Sequence, residues 1–132
     1  MKRREAREKA FQFLFQIDFN QSDLTSSANQ YLKEEEEDQF LRTLIEGVIG
    51  KKNVLDEKIS SHLENWTLNR LPSVERTILR LAAYEIYFQE DIPSSVSINE
   101  AVELGNIFGD DKSGKFINGV LSKMINQGGK KE

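Results

Sequence analysis

Apolar residues recur along this chain at intervals of three and four, the spacing that lines one face of an α-helix. Ala6, Ala10, Phe13, Leu14 and Ile17 form the first stripe, and Phe40, Leu41, Leu44, Ile45, Val48 and Ile49 form the second, which stops near Gly50. Val54, Leu55, Ile59 and Leu63 form a third. Residues 74–88 are apolar almost all round, the pattern of a central, most buried helix. Ile98, Ala101, Val102, Gly105 and Phe108 mark a fifth helix, and Phe116, Val120, Leu121, Met124 and Ile125 a sixth. A shorter, weaker helix is expected around residues 24–33. The predicted fold is all-α, with no internal repeat of useful length.

The breaks between stripes are equally legible. Pro72 stands just before the central helix, where proline is tolerated. Residues 91–95 read as a connector. Ser97 and Glu100 have the spacing of a capping box, in which a serine oxygen and a glutamate three residues later satisfy free helix-end amides. Residues 109–114 read as a tight polar loop. Asn118-Gly119 is also a hairpin signal, but the helical spacing from Phe116 to Ile125 overrides it. A helical glycine costs about 1 kcal/mol against alanine, so Gly119 is expected to mark close packing or an approaching ligand. Residues 128–132 are expected to fray.

A chain of 132 residues buries roughly two-thirds of its unfolded surface. That fits a single domain, or at most two small halves sharing a core. Hydrophobic residues make up 38% and charged residues 30%, as in a folded globular protein. No segment reaches the ~20 apolar residues of a membrane span. Lys2, Arg3 and Arg4 ahead of apolar residues superficially resemble a signal peptide. The charges at Glu5, Arg7, Glu8 and Lys9 argue against one, and a cytoplasmic protein is expected.

Little supports catalysis. The chain has no cysteine and one histidine, His62, which excludes disulfides, thiolate chemistry and sites needing two imidazoles. His62 reads as a helix-terminal surface residue. Neither a glycine-rich phosphate loop nor a nucleophile elbow occurs. The acid pairs Asp56/Glu57 and Asp110/Asp111 each give one helical face a single ligand. The acidic run at 34–38 reads first as a solvated helix entry, where negative charge suits the helix dipole, and otherwise as an acidic patch. The expectation is therefore no catalytic residue, no metal site and no cofactor.

The net charge of −4 argues against nucleic acid until it is divided. Residues 1–20 carry five basic and three acidic groups, residues 110–132 again five and three, and residues 21–109 eight and sixteen. Positive charge sits at the ends and negative charge between them. At about 100° per residue, Arg7, Phe11, Arg4 and Phe15 share one face of the first helix, distinct from the Ala6–Phe13–Ile17 stripe. Arginine beside aromatics suits single-stranded RNA, with guanidinium on phosphate and ring on base. The same face also fits a second core surface with arginines reaching past it to solvent. Lys112, Lys115 and Phe116 repeat the composition at the start of the last helix, where free amides favour an anion. Should the two ends pack together, one basic, aromatic strip results.

Four stretches together resemble a known family. Arg3-Arg4-Glu5-Ala6-Arg7-Glu8 opens the chain, and Glu75-Arg76-Thr77-Ile78-Leu79-Arg80-Leu81-Ala82-Ala83-Tyr84-Glu85 opens the central helix. Ile98-Asn99-Glu100-Ala101-Val102-Glu103-Leu104 and Lys115-Phe116-Ile117-Asn118-Gly119-Val120-Leu121 follow. In this order and spacing the chain resembles the NusB family of bacterial transcription antitermination factors over essentially its full length.

The resemblance implies about seven helices in one domain over residues 1–132, with sub-bundles at about 1–65 and 66–128. It implies binding to single-stranded boxA RNA of ribosomal RNA transcripts, pairing with NusE, a small-subunit ribosomal protein, and entry into the RNA polymerase antitermination complex. By the same resemblance Arg3, Arg4 and Arg7 contact RNA, with Phe15 where a family tyrosine stands. Lys115 and Phe116 match a lysine–aromatic pair, with Asn118 and Gly119 beside them. Glu75 matches an acidic position that faces NusE. Glu5 departs from a denser arginine run. The alternative is a helical protein–protein module or homodimer without direct RNA contact.

Overall fold

The computed structural model describes residues 1–20, 24–34 and 38–127. Seven α-helices account for most of them: α1 (Arg3–Asn20), α2 (Leu24–Glu34), α3 (Gln39–Gly50), α4 (Lys52–Ser60), α5 (Ser73–Phe88), α6 (Ser94–Phe108) and α7 (Asp111–Asn126). One 3₁₀ turn, Leu68–Arg70, joins α4 to α5, and among the described residues there is no strand. Residues 128–132 lie outside the described residues, as does most of the acidic run at 34–38. Its last member, Asp38, caps α3 by accepting the Leu41 amide at 2.9 Å.

The helix read as central is central. α5 packs against α1, α3, α4, α6 and α7. Ile78, Leu79, Ala83 and Ile86 on it are sealed from solvent, each large aliphatic contributing about 1.5–3 kcal/mol by its burial. The stripes of α1 and α3 close on it: Ala6, Ala10, Phe13, Leu14 and Ile17 are buried, as are Leu41, Leu44, Ile45 and Val48. α6 and α7 cross closely because glycines face each other there. A Cβ on Gly105 would sit 3.2 Å from the Gly114 Cα.

Ion pairs tie the layers where apolar contact ends. Asp18 of α1 accepts from Ser73 at 2.6 Å, from Arg76 at 2.7 Å and from Arg80 at 3.1 Å. Arg80 turns its other edge to Asp56 of α4, at 2.7 and 3.1 Å. The start of α5 is thereby bolted to two other helices.

Four expectations are corrected. Val54 is 43% exposed, and Leu63 lies beyond the end of α4, so that stripe is shorter than read. α6 begins at Ser94, and Ser97 is no cap: its hydroxyl is buried and donates to Glu85 at 2.9 Å. The capping box is instead at Asp110 and Ser113. It starts α7 at Asp111, which reduces the expected 109–114 loop to Gly109 and Asp110. Gly119 marks no close packing, since a Cβ there would meet nothing within 4 Å.

Candidate nucleic-acid interface

The first turn of α1 projects Arg3 and Arg4 into solvent, while Arg7, one turn on, is 4% exposed. Arg4 grips Glu100 of α6 with two hydrogen bonds, Nε to Oε1 at 3.1 Å and Nη2 to Oε2 at 2.8 Å. Arg3 reaches Asp91 at 3.2 Å and lies over the Phe40 ring at 4.6 Å. Arg7 donates to both oxygens of Glu85 on α5, at 2.8 and 2.9 Å, and stands 3.8 Å from Glu100. The hydrogen bonds from Arg4 hold the Glu100 carboxyl below its ordinary range against the opposing pull of burial, and the charges of Arg4 and Arg7 add to them.

The face that sequence spacing grouped is therefore divided in depth. Arg7, expected to contact RNA, is buried and gives its Nε and Nη2 to Glu85, so that edge of its guanidinium is turned to the core. Phe11 is 2% exposed and belongs to the core, its ring 4.7 Å from Phe108 and 5.6 Å from Phe15. Phe15 is half-buried and lines a groove of about 520 Å³ with Gln12, Gln16, Tyr31, Val74 and Phe108. One edge of that ring remains within reach of a ligand.

At the other end, Lys112, Lys115 and Asn118 are exposed and Phe116 is half-buried. Phe116 and Lys112 share a cleft with Trp66, Leu71, Pro72 and Glu75. Phe116 and Lys115 also border a wider groove with His62, Asn65, Trp66, Gly119 and Lys123. Of the α7 amides expected to favour an anion, that of Ser113 is taken by Asp110 at 2.9 Å. That bond, joined by one from the Ser113 hydroxyl, keeps the Asp110 carboxyl below its usual range. Glu75 is half-buried and accepts from the Ser113 hydroxyl at 3.0 Å.

The two ends are linked but do not merge. Arg4 meets α6 at Glu100, and Phe11 meets it at Phe108, about 12 Å further along at 1.5 Å per residue. α7 begins after the two residues that follow. The groove at Phe15 thus lies between the Arg3–Arg4 turn and the Lys112–Phe116 turn. Sequence reading missed Trp66, 52% exposed beside Phe116. Its signal was a lone tryptophan in the polar stretch Glu64-Asn65-Trp66-Thr67. Glu100 was read as part of a cap and proved to be the anion that holds the exposed Arg4. His62 is helix-terminal as expected, its Nδ1 within 2.9 Å of the Lys58 carbonyl. Among the described residues no three histidine, aspartate or glutamate side chains gather to hold a metal, and no helix is long and apolar enough to cross a membrane.

The fold and this surface define a small helical protein with basic and aromatic residues displayed at both ends. The NusB family model matches residues 4–126, and the chain belongs to the NusB family. It is 59% identical over 125 residues to the transcription antitermination protein NusB of Oceanobacillus iheyensis, covering 95% of this chain and 99% of that one. It is 54% identical to the protein of the same name from Bacillus subtilis, covering 94% and 95%. The structure of T. maritima NusB superposes with a TM-score of 0.87 at 38% identity, over 96% and 92% of the two chains. A structure of antitermination factors NusB and NusE in complex with dsRNA matches with a TM-score of 0.84 at 27% identity, over 96% and 97%.

Proposed function

We propose that this chain is a non-catalytic transcription antitermination factor that binds single-stranded boxA RNA of ribosomal RNA transcripts together with NusE, in the bacterial cytoplasm. The pair joins the elongating RNA polymerase. The observation that carries this reading is the display of cations beside reachable aromatic edges at both ends of a NusB-family fold: Arg3 and Arg4 on one side of the Phe15 groove, Lys112, Lys115, Phe116 and Asn118 on the other. Phosphates fall to the cations and unstacked bases to the rings. Trp66 joins Phe116 in this role. Glu75, beside Lys112, marks the side offered to NusE, and the acidic middle of the chain complements a basic ribosomal protein.

Fluorescence anisotropy of a labelled boxA RNA, with and without NusE, tests the reading. Affinity is expected to fall with salt and to rise when NusE is added. Binding indifferent to salt and to charge reversal at Arg4 overturns it. A shift to dimer in ultracentrifugation, with no RNA bound, favours the interaction-module alternative.

A further inference from the structure

A guanidinium fork that fits a carboxylate through two parallel hydrogen bonds fits a phosphate in the same way. In this protein the fork of Arg4 is already occupied. Its Nε and Nη2 hold the two oxygens of Glu100 at 3.1 and 2.8 Å, so an RNA phosphate reaching Arg4 meets an anion in its place.

The same carboxylate has a second berth. Glu100 Oε1 lies 3.8 Å from Arg7 Nη1. Arg7 spends its Nε and Nη2 on Glu85, which leaves Nη1 as the edge turned toward Glu100. The side chain of Glu100 is 18% exposed, against 61% for Arg4. The acid is therefore anchored near the buried cation while the exposed cation is free to swing outward.

We propose that Glu100 is an internal competitor for RNA at Arg4: it fills the fork in the free protein and yields it to a phosphate on binding, turning to Arg7. The proposal rests on the RNA-binding reading above and adds its regulation. Arg7 then contributes to binding without touching RNA, as the cation that receives the displaced carboxylate. Transfer between two arginines avoids leaving Glu100 unpaired in a partly buried site, which is the costly outcome. Arg3 repeats the arrangement more loosely, with one contact to Asp91.

The test uses the full chain and a short labelled single-stranded boxA RNA. Glu100→Gln removes the competing charge and is expected to tighten RNA binding about two- to fivefold, the equivalent of one exposed ion pair. Glu103→Gln is the control. Glu103 is exposed on the same helix and acts on Arg4 through its charge, so its removal changes the field without emptying the fork. The gain from Glu100→Gln should exceed that from Glu103→Gln and should vanish in an Arg4→Ala background. Thermal melts fix the folded fraction, so that affinities are compared per folded molecule. Equal gains from the two glutamines, a gain that survives Arg4→Ala, or weaker binding by Glu100→Gln overturns the competitor role while leaving RNA binding intact. Failure of the wild type to bind, or binding indifferent to Arg4→Ala, overturns both readings.

Discussion

Arg7 and Glu85 face each other across α1 and α5 through two hydrogen bonds of 2.8 and 2.9 Å, with side chains 5% and 2% exposed. Ser97 of α6 donates to the same carboxylate, so one buried acid joins three helices. The arginine that spacing set on one face with Arg4 and Phe15 fastens the core here. Removing one member of such a pair strands the other in a medium that solvates it poorly.

Glu85→Ala is therefore expected to cost about 3–5 kcal/mol, measured by urea unfolding. Arg3→Ala, on the exposed side of the same helix, should stay within about 0.5 kcal/mol of wild type. A loss below 1 kcal/mol for Glu85→Ala would count against the structural role of this pair.

Salt dependence distinguishes the exposed arginines from the buried one. For single strands the slope of log affinity against log salt is about −0.7 per phosphate neutralised. Replacing both Arg3 and Arg4 by alanine should flatten that slope by about 1.4 while leaving the melting temperature nearly unchanged. A slope equal to wild type would place the phosphate contacts elsewhere.

Phe116→Ala is expected to weaken RNA binding by about 1–3 kcal/mol, the range for one stacked base. Trp66→Ala should act in the same direction, because the two rings border one groove. Lost stability with affinity retained per folded molecule would assign Phe116 to the core.

Glu75→Lys should impair NusE binding and leave RNA binding by the free protein largely intact. Glu75→Gln is a milder companion, since its amide oxygen still accepts from Ser113. Isothermal titration with NusE measures both, and an unchanged affinity for Glu75→Lys would remove the residue from the partner surface.

Acid should loosen the α1–α5 junction. Burial pushes the Asp18 carboxyl up, but hydrogen bonds from Ser73, Arg76 and Arg80 outweigh it and hold the group below its ordinary 3.8. A depressed folded-state value contributes stability that is present above the unfolded value and lost as pH falls through the folded one. Stability of the wild type should therefore decline below about pH 4. Asp18→Asn should be less stable at neutral pH and show a flatter acid limb. Urea midpoints across pH 2.5–7 would reveal it, and parallel acid limbs would refute it.

The helical architecture was legible because local periodicity and the buried face of a helix are the same fact seen twice. The stripes of α1, α3 and α5 predicted their buried residues well. Capping was read less accurately. Ser97 and Glu100 have the right spacing on α6, but Ser97 is taken by Glu85 of α5 and Glu100 by Arg4 and Arg7 of α1, 96 and 93 positions back in the chain. No local pattern reports such partners. Gly119 shows the converse: its helical setting suggested contact, and the surface there is open.

Sequence by itself determined the fold class, the family, the absence of cysteine chemistry and the concentration of positive charge at the two ends. These follow from residue type and spacing along one chain. Only the tertiary structure decided which cations are available. Arg4 and Arg7 are three residues apart on one helix, yet one side chain is 61% exposed and the other 5%. The difference comes from packing: Glu85 of α5 and Ser97 of α6 enclose the site of Arg7, while Arg4 meets α6 only through Glu100 at the surface. An acid from α6 then stands between the two arginines, and its position arises from the approach of helices distant in sequence.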